Sequence, residues 1–182
     1  NNHIGVPLTL LRLRPEHDFA VIETGANHPG EIAQLSKIVQ PNCGLITNVG
    51  KAHLEGFGSF EGVVKTKTEL YRYLAQRNTE LTETLITGET RFKPDAVPYF
   101  VFVNGDNELL TPHVAECGLP SLSYGSPGHD YTIEGEVLEC APFLTLRWRK
   151  KDGAWHKVNT QLVGAYNIDN VLAAVLVGLC FK

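Results

Sequence analysis

Apolar and polar positions follow two different periods along this chain. Up to residue 103, short apolar runs typical of strands buried on both faces cover residues 19–22, 43–48 and 99–103. Around these runs, apolar residues at helical spacing predict helices over residues 6–13, 31–39, 59–76, 108–116 and 168–181. Strands and helices that alternate at such short spacing predict an α/β domain, with a mostly parallel sheet flanked by helices.

Apolar and polar residues alternate more strictly between residues 122 and 161. This alternation predicts an antiparallel β meander beside the parallel sheet, with turns at Gly135 and at residues 151–153. Residues 78–98 are rich in Thr and Glu, carry two prolines and show no clear period, so they are assigned to neither a helix nor a strand. The pattern therefore favours an α/β core with an antiparallel extension.

The composition excludes several classes of function. With 16 Lys and Arg against 20 Asp and Glu, the net charge of −4 disfavours nucleic acid and anionic membranes as partners. No apolar run approaches the roughly 20 residues that span a bilayer, so membrane insertion is not expected. The 4 cysteines lack CxxC spacing, which argues against a zinc site or a disulfide framework and favours a soluble cytoplasmic protein. The chain contains no Met, so we expect it to be a piece of a larger protein.

Four polar residues follow the ends of the first two predicted strands, where ligands bind in parallel α/β sheets. They are Glu23, Asn27, Asn48 and His53. Taken alone, Glu23 could be an acid that faces water or pairs with a lysine, and His53 could be a capping residue. Together, a carboxylate and an imidazole at neighbouring strand ends could hold a divalent cation.

Lys67 lies on the apolar stripe of the predicted helix over residues 59–76. The apolar residues of that stripe are Val63, Leu70, Tyr71 and Leu74, whereas Lys65 lies off it. A lysine on an inward face either extends its amine to water or has a function. In the functional case, a desolvated lysine loses its proton readily, and the neutral amine can take up carbon dioxide to give a carbamate that could bind magnesium.

Two asparagines open the last predicted helix. Asn167 could simply be the N-cap of that helix, and Asn170, three residues later, could share a face with it. In that arrangement the two amides could bind a base or a ribose. Residues 44–52 differ from a phosphate-binding loop in the spacing of their glycines and in having Ala52 in place of Ser or Thr. Hence no loop within this chain is expected to hold a triphosphate.

Five ordered segments together resemble the Mur ligases of peptidoglycan synthesis, most of all the type that adds a terminal dipeptide. The segments are NNHIGVPLTL over 1–10, VIETGANHPGEI over 21–32, AHLEGFGS over 52–59, KTKTELY over 65–71 and GAYNIDNVLAA over 164–174. The resemblance implies that residues 1–182 are the central ATP-binding domain of a three-domain ligase. It also implies that this domain is incomplete on its N-terminal side, and that the UDP-binding and C-terminal domains are absent.

The resemblance also implies a reaction and a set of site residues. ATP would phosphorylate UDP-N-acetylmuramoyl-tripeptide to an acyl phosphate, which the amine of D-alanyl-D-alanine would attack, with Mg²⁺ as the metal cofactor. The implied metal ligands are Glu23, His53 and Lys67 as its carbamate, and Lys67 and His53 are the implied catalytic residues. Asn167 and Asn170 match the region that holds the adenine and ribose of the nucleotide. Asn27 and Asn48 match positions near the substrate or the metal.

Because the family's phosphate loop would lie upstream of Asn1, we expect these 182 residues alone to be inactive. Two other interpretations stay open. One is a sister Mur ligase or a folylpolyglutamate-type ligase, which the identity of the accepted amine would distinguish. The other is a nucleotide-binding or scaffolding module without catalysis, in which replacing Lys67 with Ala would have little effect.

Overall fold

A computed structural model describes residues 1–50, 57–87 and 98–182 of the chain. Within these ranges the chain forms six helices and six strands. The helices are α1 (Gly5–Leu10), α2 (Glu31–Val39), α3 (Phe60–Lys67), α4 (Glu69–Thr87), α5 (Thr111–Glu116) and α6 (Asn167–Cys180). The strands are β1 (Cys43–Leu45), β2 (Phe100–Asn104), β3 (Ser121–Gly125), β4 (Ile133–Cys140), β5 (Leu144–Lys150) and β6 (His156–Asn159). No helix among the described residues is long and apolar enough to cross a membrane.

The chain divides into two compact units. The first comprises Asn1–Gly44, Asn48–Tyr99 and Cys117–Leu119, and it holds helices α1 to α4. The second comprises Leu45–Thr47, Phe100–Glu116 and Pro120–Lys182, and it holds strands β2 to β6 with helices α5 and α6.

The second unit is built on a mixed sheet in which strands β2 to β6 lie side by side in chain order. Strands β2, β3 and β4 pair in parallel, and β4, β5 and β6 pair antiparallel. Helix α6 packs on strands β2 to β5. The fully buried side chains of this unit include Phe102, Tyr124, Ile133, Leu144, Leu146, Leu172 and Leu176. This arrangement confirms the predicted α/β fold with its antiparallel extension.

Two details of the predicted meander are wrong. Strand β3 belongs to the parallel part of the sheet, because helix α5 returns the chain to the end at which β2 began. Gly135 is not in a turn but lies buried in the middle of β4. A Cβ at Gly135 would meet Leu172 Cδ2 of α6 at 2.6 Å, so the glycine there allows the helix to approach the sheet closely. The other predicted turn is confirmed at Lys151 and Asp152, where Asp152 has a φ of 59°.

In the first unit, helix α2 packs against α1, α3 and α4, and α3 packs against α4. Their buried apolar side chains include Val6, Ile32, Leu35, Val63, Tyr71 and Leu74. Helix α2 spans the residues predicted from the sequence, and α1 is shorter than predicted because it ends at Leu10.

The strand predicted over residues 19–22 is absent. These residues form neither a helix nor a sheet ladder in the described part of the chain, and Val21 is 91% exposed. An apolar run becomes a strand only where a neighbouring strand accepts and donates its backbone hydrogen bonds, and no strand among the described residues pairs with this run. The interpretation of Glu23 as the end of a buried strand is therefore wrong as well.

The single helix predicted over residues 59–76 is two helices. Ser59 is the N-cap of α3, and its hydroxyl accepts a hydrogen bond from Gly62 N at 3.0 Å. Ser is a favoured residue at this position for that reason. The break falls at Thr68, whose hydroxyl donates back to Val64 O at 2.9 Å, a bond that bends helices. Helix α4 then continues to Thr87, so part of the segment left unassigned is helical. Residues 88–97 of that segment lie outside the described residues.

Candidate functional site

Lys67 ends helix α3 with its amine turned inward. Its Nζ donates a hydrogen bond to Asn48 O at 2.7 Å, and the side chain is half-buried. Burial lowers the pKa of Lys67 below the usual value for lysine, because desolvation disfavours the charged ammonium. Val63 and Tyr71 on the same stripe are buried, whereas Lys65 is exposed. The predicted inward position of Lys67 is confirmed.

The backbone of Asn48 binds Lys67, but the side chain of Asn48 is exposed. Its position, three residues after strand β1, agrees with the prediction that it follows a strand end. The amide of Asn48 is thus available to a ligand, while its carbonyl orients the lysine.

Glu23 lies in irregular chain, with its side chain 81% exposed. One carboxylate oxygen accepts a hydrogen bond from Asn1 Nδ2 at 3.3 Å. The carboxylate faces solvent, where a hydrated cation can reach it without the cost of burying an unpaired charge.

Asn27 is held by its backbone. Its N–H donates to Glu31 Oε2 at 2.6 Å, and the N–H of His28 donates to the same oxygen at 3.1 Å. These two hydrogen bonds lower the pKa of the Glu31 carboxyl, because they stabilise its charged form. The side chain of Asn27 is exposed. The loop therefore fixes the Asn27 backbone and leaves its side-chain amide accessible.

Glu69 is a residue of this region that sequence reasoning missed. Its Oε1 accepts from Gly30 N at 2.8 Å and its Oε2 accepts from Ala33 N at 2.9 Å, across the N-terminus of α2. A signal for this contact is present in the sequence. Helix α2 follows a glycine, which has no side chain to cap the helix, so a cap had to come from elsewhere.

His53 lies outside the described residues. Among those described, no three His, Cys, Asp or Glu side chains gather into a metal site. The magnesium ligands implied by the resemblance include His53 and a lysine carbamate, so that ligand set stays a prediction.

Asn167 and Asn170 lie together at the start of α6, in the second unit. Asn170 Nδ2 donates to Asn167 Oδ1 at 3.0 Å, which confirms that the two share a face. Asn167 is not the N-cap: it is the first residue of the helix, and its Nδ2 donates backwards to Val163 O at 2.9 Å. The neighbouring Tyr166 is 75% exposed. The start of α6 thus presents an ordered pair of amides and an accessible aromatic ring.

A family model described as the Mur ligase middle domain matches residues 1–178. The chain belongs to this family. The family resemblance and the fold of its central domain, both predicted from the sequence, are confirmed.

Several curated relatives of the chain have the name UDP-N-acetylmuramoyl-tripeptide–D-alanyl-D-alanine ligase. The protein of Haemophilus influenzae is 36% identical over 186 residues, covering 98% of this chain and 34% of that protein. The protein of Buchnera aphidicola subsp. Baizongia pistaciae is 49% identical over 179 residues, with coverage of 98% and 34%. The protein of Escherichia coli is 57% identical over 76 residues, which are 42% of this chain and 17% of that protein. This chain spans 34% of the length of the first two.

Two solved structures that resemble this chain are also of MurF ligases. MurF from Acinetobacter baumannii superposes with a TM-score of 0.75 and 30% identity, over 100% of this chain and 35% of that one. A MurF ligase from Thermotoga maritima in complex with ADP has a TM-score of 0.66 at 21% identity, over 100% of this chain and 38% of that one. The second likeness supports the fold alone.

Proposed function

We propose that the chain is the central nucleotide-binding part of a longer ATP-dependent ligase of peptidoglycan synthesis. The ligase joins D-alanyl-D-alanine to UDP-N-acetylmuramoyl-tripeptide. Relatives with that name, matched over 98% of the chain, support this choice among the Mur ligases. Because the chain spans about a third of them, the rest of the site belongs to the longer protein, and we expect the 182 residues alone to be inactive.

The reaction has two steps. In the first, a carboxylate oxygen of the tripeptide attacks the γ-phosphorus of ATP, the bond to the bridging oxygen breaks, and ADP leaves. In the second, the amine of D-alanyl-D-alanine attacks the acyl phosphate, inorganic phosphate leaves, and the nitrogen loses a proton as the amide forms. Negative charge builds on the phosphoryl oxygens in the first step, so a cluster of cationic and polar groups is what the site must supply.

The observation that carries this proposal is the inward amine of Lys67 on the carbonyl of Asn48. Its pKa is lowered by burial, so more of it is neutral than is the case for an exposed lysine. The neutral amine attacks carbon dioxide, one proton leaves the nitrogen, and the side chain ends as an anionic carbamate.

The residues that the family resemblance implies as ligands fit a magnesium ion in their donor chemistry. Glu23 offers a solvent-facing carboxylate, and the carbamate of Lys67 would add a second anionic oxygen donor. With His53, these are the residues that would hold Mg²⁺. When bound, the metal neutralises charge on the phosphoryl oxygens.

The asparagines serve binding in this proposal. Asn167 and Asn170 present amides that can donate to and accept from the adenine and ribose of ATP. Asn27 and Asn48 present exposed amides to the substrate or to water around the metal.

The test is phosphate release from ATP by the longest natural polypeptide that contains these residues. It is measured with UDP-N-acetylmuramoyl-tripeptide present, and with D-alanyl-D-alanine added or withheld. Release that needs both substrates is the expected result. Release with a different amine would move the protein to a sister ligase, and no release from folded protein would leave a nucleotide-binding module. The 182-residue chain is the matched control and should release none.

A second measurement addresses Lys67 directly. After incubation with ¹³C-labelled bicarbonate, the carbonyl region of a ¹³C NMR spectrum should show one carbamate signal in the wild type. Lys67→Met should lose that signal, and Lys65→Met should keep it. A signal that survives Lys67→Met would assign the carbamate to another amine.

A further inference from the structure

Helix α2 takes its N-terminal cap from a residue far away in sequence. In a capping box, the side chains at the N-cap and at the third helical position each accept a hydrogen bond from the other's backbone N–H. In α2 these positions are Gly30 and Ala33, and neither side chain can accept a hydrogen bond. The single carboxylate of Glu69 accepts from both N–H groups, at 2.8 and 2.9 Å.

The loop before α2 is anchored by a second carboxylate. Glu31 accepts from the N–H groups of Asn27 and His28, and Pro29 has no N–H. With Gly30 bound to Glu69, every backbone donor from residue 27 to residue 30 is bonded to a carboxylate. The backbone of this loop is therefore fixed by carboxylates, and the side chain of Asn27 stays exposed.

Glu69 also stands next to the candidate catalytic lysine. Lys67 and Glu69 flank Thr68, the break between α3 and α4. From this junction Lys67 reaches Asn48 O, and Glu69 reaches the N-terminus of α2. One junction thus fixes both the segment that carries Asn48 and the loop that carries Asn27.

We propose that Glu69 is a positioning residue, which fixes the position of the Asn27 loop relative to Lys67. This inference rests on the proposed function, in which Asn27 and Lys67 serve one reaction. Both carboxylate oxygens of Glu69 accept from backbone N–H groups. It acts through the backbone of Gly30 and Ala33.

Graded variants at one position test this proposal in the longest natural polypeptide. Glu69→Gln keeps one carbonyl oxygen and can hold one of the two amides, and Glu69→Ala holds neither. Glu61→Gln and Glu61→Ala are matched controls, since Glu61 is an exposed first-turn glutamate of α3. Amide hydrogen exchange at Gly30 and Ala33 should quicken by about 2- to 30-fold in Glu69→Ala, the range for loss of a helix cap, and by less in Glu69→Gln. The Glu61 variants should leave it unchanged.

Kinetics then separate positioning from mere stability. Because a displaced Asn27 binds less well, KM for the UDP-linked tripeptide should rise in the order wild type, Glu69→Gln, Glu69→Ala, over a similar range of about 2- to 30-fold. A purely structural role would lower the amount of active enzyme, and so the apparent kcat, at constant KM. If Glu69→Ala fails to fold, Glu69→Gln alone decides between these results.

The outcomes distinguish the two claims. Wild-type protein that releases no phosphate overturns the proposed function and, with it, the positioning role. An active wild type with faster exchange but unchanged KM makes Glu69 a helix cap only and overturns this inference alone. Unchanged exchange in Glu69→Gln and Glu69→Ala overturns it as well.

Discussion

The two groups of candidate residues are held in place by different kinds of bonds. In the first unit, Lys67 and Glu69 make hydrogen bonds to backbone groups 19, 36 and 39 residues away. In the second unit, Asn167 and Asn170 bond to groups only 4 and 3 residues away. Charged groups anchored by tertiary structure suit chemistry that depends on charge, whereas a local pair of amides suits binding of a neutral base or sugar. Substitutions in either group therefore test whether these two kinds of anchoring serve different roles.

The largest effect is expected from the lysine. Lys67→Met should lower the rate of ligation by about 10²- to 10³-fold, the scale for losing one group that stabilises a transition state, because the carbamate of Lys67 would hold the Mg²⁺ that neutralises phosphoryl charge. Lys65→Met, its exposed neighbour, should stay within about twofold of the wild type. Steady-state ligation rates measure both. If the two variants lost ligation rate equally, the inward position of Lys67 would have no special role in catalysis.

A smaller effect is expected from the carboxylate of Glu23. Glu23→Gln should raise the Mg²⁺ concentration for half-maximal activity by at least about tenfold, because an anionic oxygen is replaced by a neutral one. Glu16→Gln is the control, since Glu16 is also an exposed acid of the same irregular segment. A magnesium titration of ligation measures the change. An unaltered titration in Glu23→Gln would remove this residue from the metal site.

The amide pair should give modest and coupled effects. Asn167→Ala and Asn170→Ala should each raise KM for ATP by about 2- to 13-fold, the range for one net hydrogen bond, with kcat little changed. The double variant should cost less than the product of the single effects, because each asparagine positions the other. Effects that multiply in full would show that the two side chains act independently.

The smallest effect concerns acid stability. The pKa of Glu31 is lowered in the folded state by the N–H groups of Asn27 and His28. The unfolded state therefore binds more protons between that lowered pKa and the ordinary value near 4.5, and stability falls as the pH drops through this window. Glu31→Gln should flatten the acid limb of unfolding measured by circular dichroism. Because both N–H groups bond to one oxygen, and Gln keeps one carbonyl oxygen, activity at neutral pH should stay within a few-fold of the wild type. An acid limb that keeps its slope would assign it to other carboxylates.

The spacing of apolar residues along the chain was enough to predict several elements and one side-chain position. Helix α2, strand β2 and the inward position of Lys67 follow from the spacing of apolar residues alone. The asparagine pair also follows from spacing, because residues three apart on a helix are neighbours.

Other features depend on groups far away in sequence. The run over residues 19–22 is apolar enough for a strand, but a strand also needs a neighbour, which local pattern does not report. Gly135 resembles a turn residue in the sequence, but it is the close packing of α6 that requires it, since an added Cβ would lie 2.6 Å from Leu172 Cδ2. The link from Glu69 to Gly30 spans 39 residues, so spacing could suggest only that a cap was missing.

Helix α2 is capped by Glu69 of α4, and this has a consequence for the order in which the chain folds. During synthesis, the segment that becomes α2 emerges long before Glu69, so its first turn stays without a cap until α4 has docked. A peptide of residues 27–40 should therefore show little helicity in water, since a helix of 9 residues is too short to persist without tertiary support. For the same reason, grafting the Asn27 loop and α2 onto another scaffold would require an acceptor in the position of Glu69.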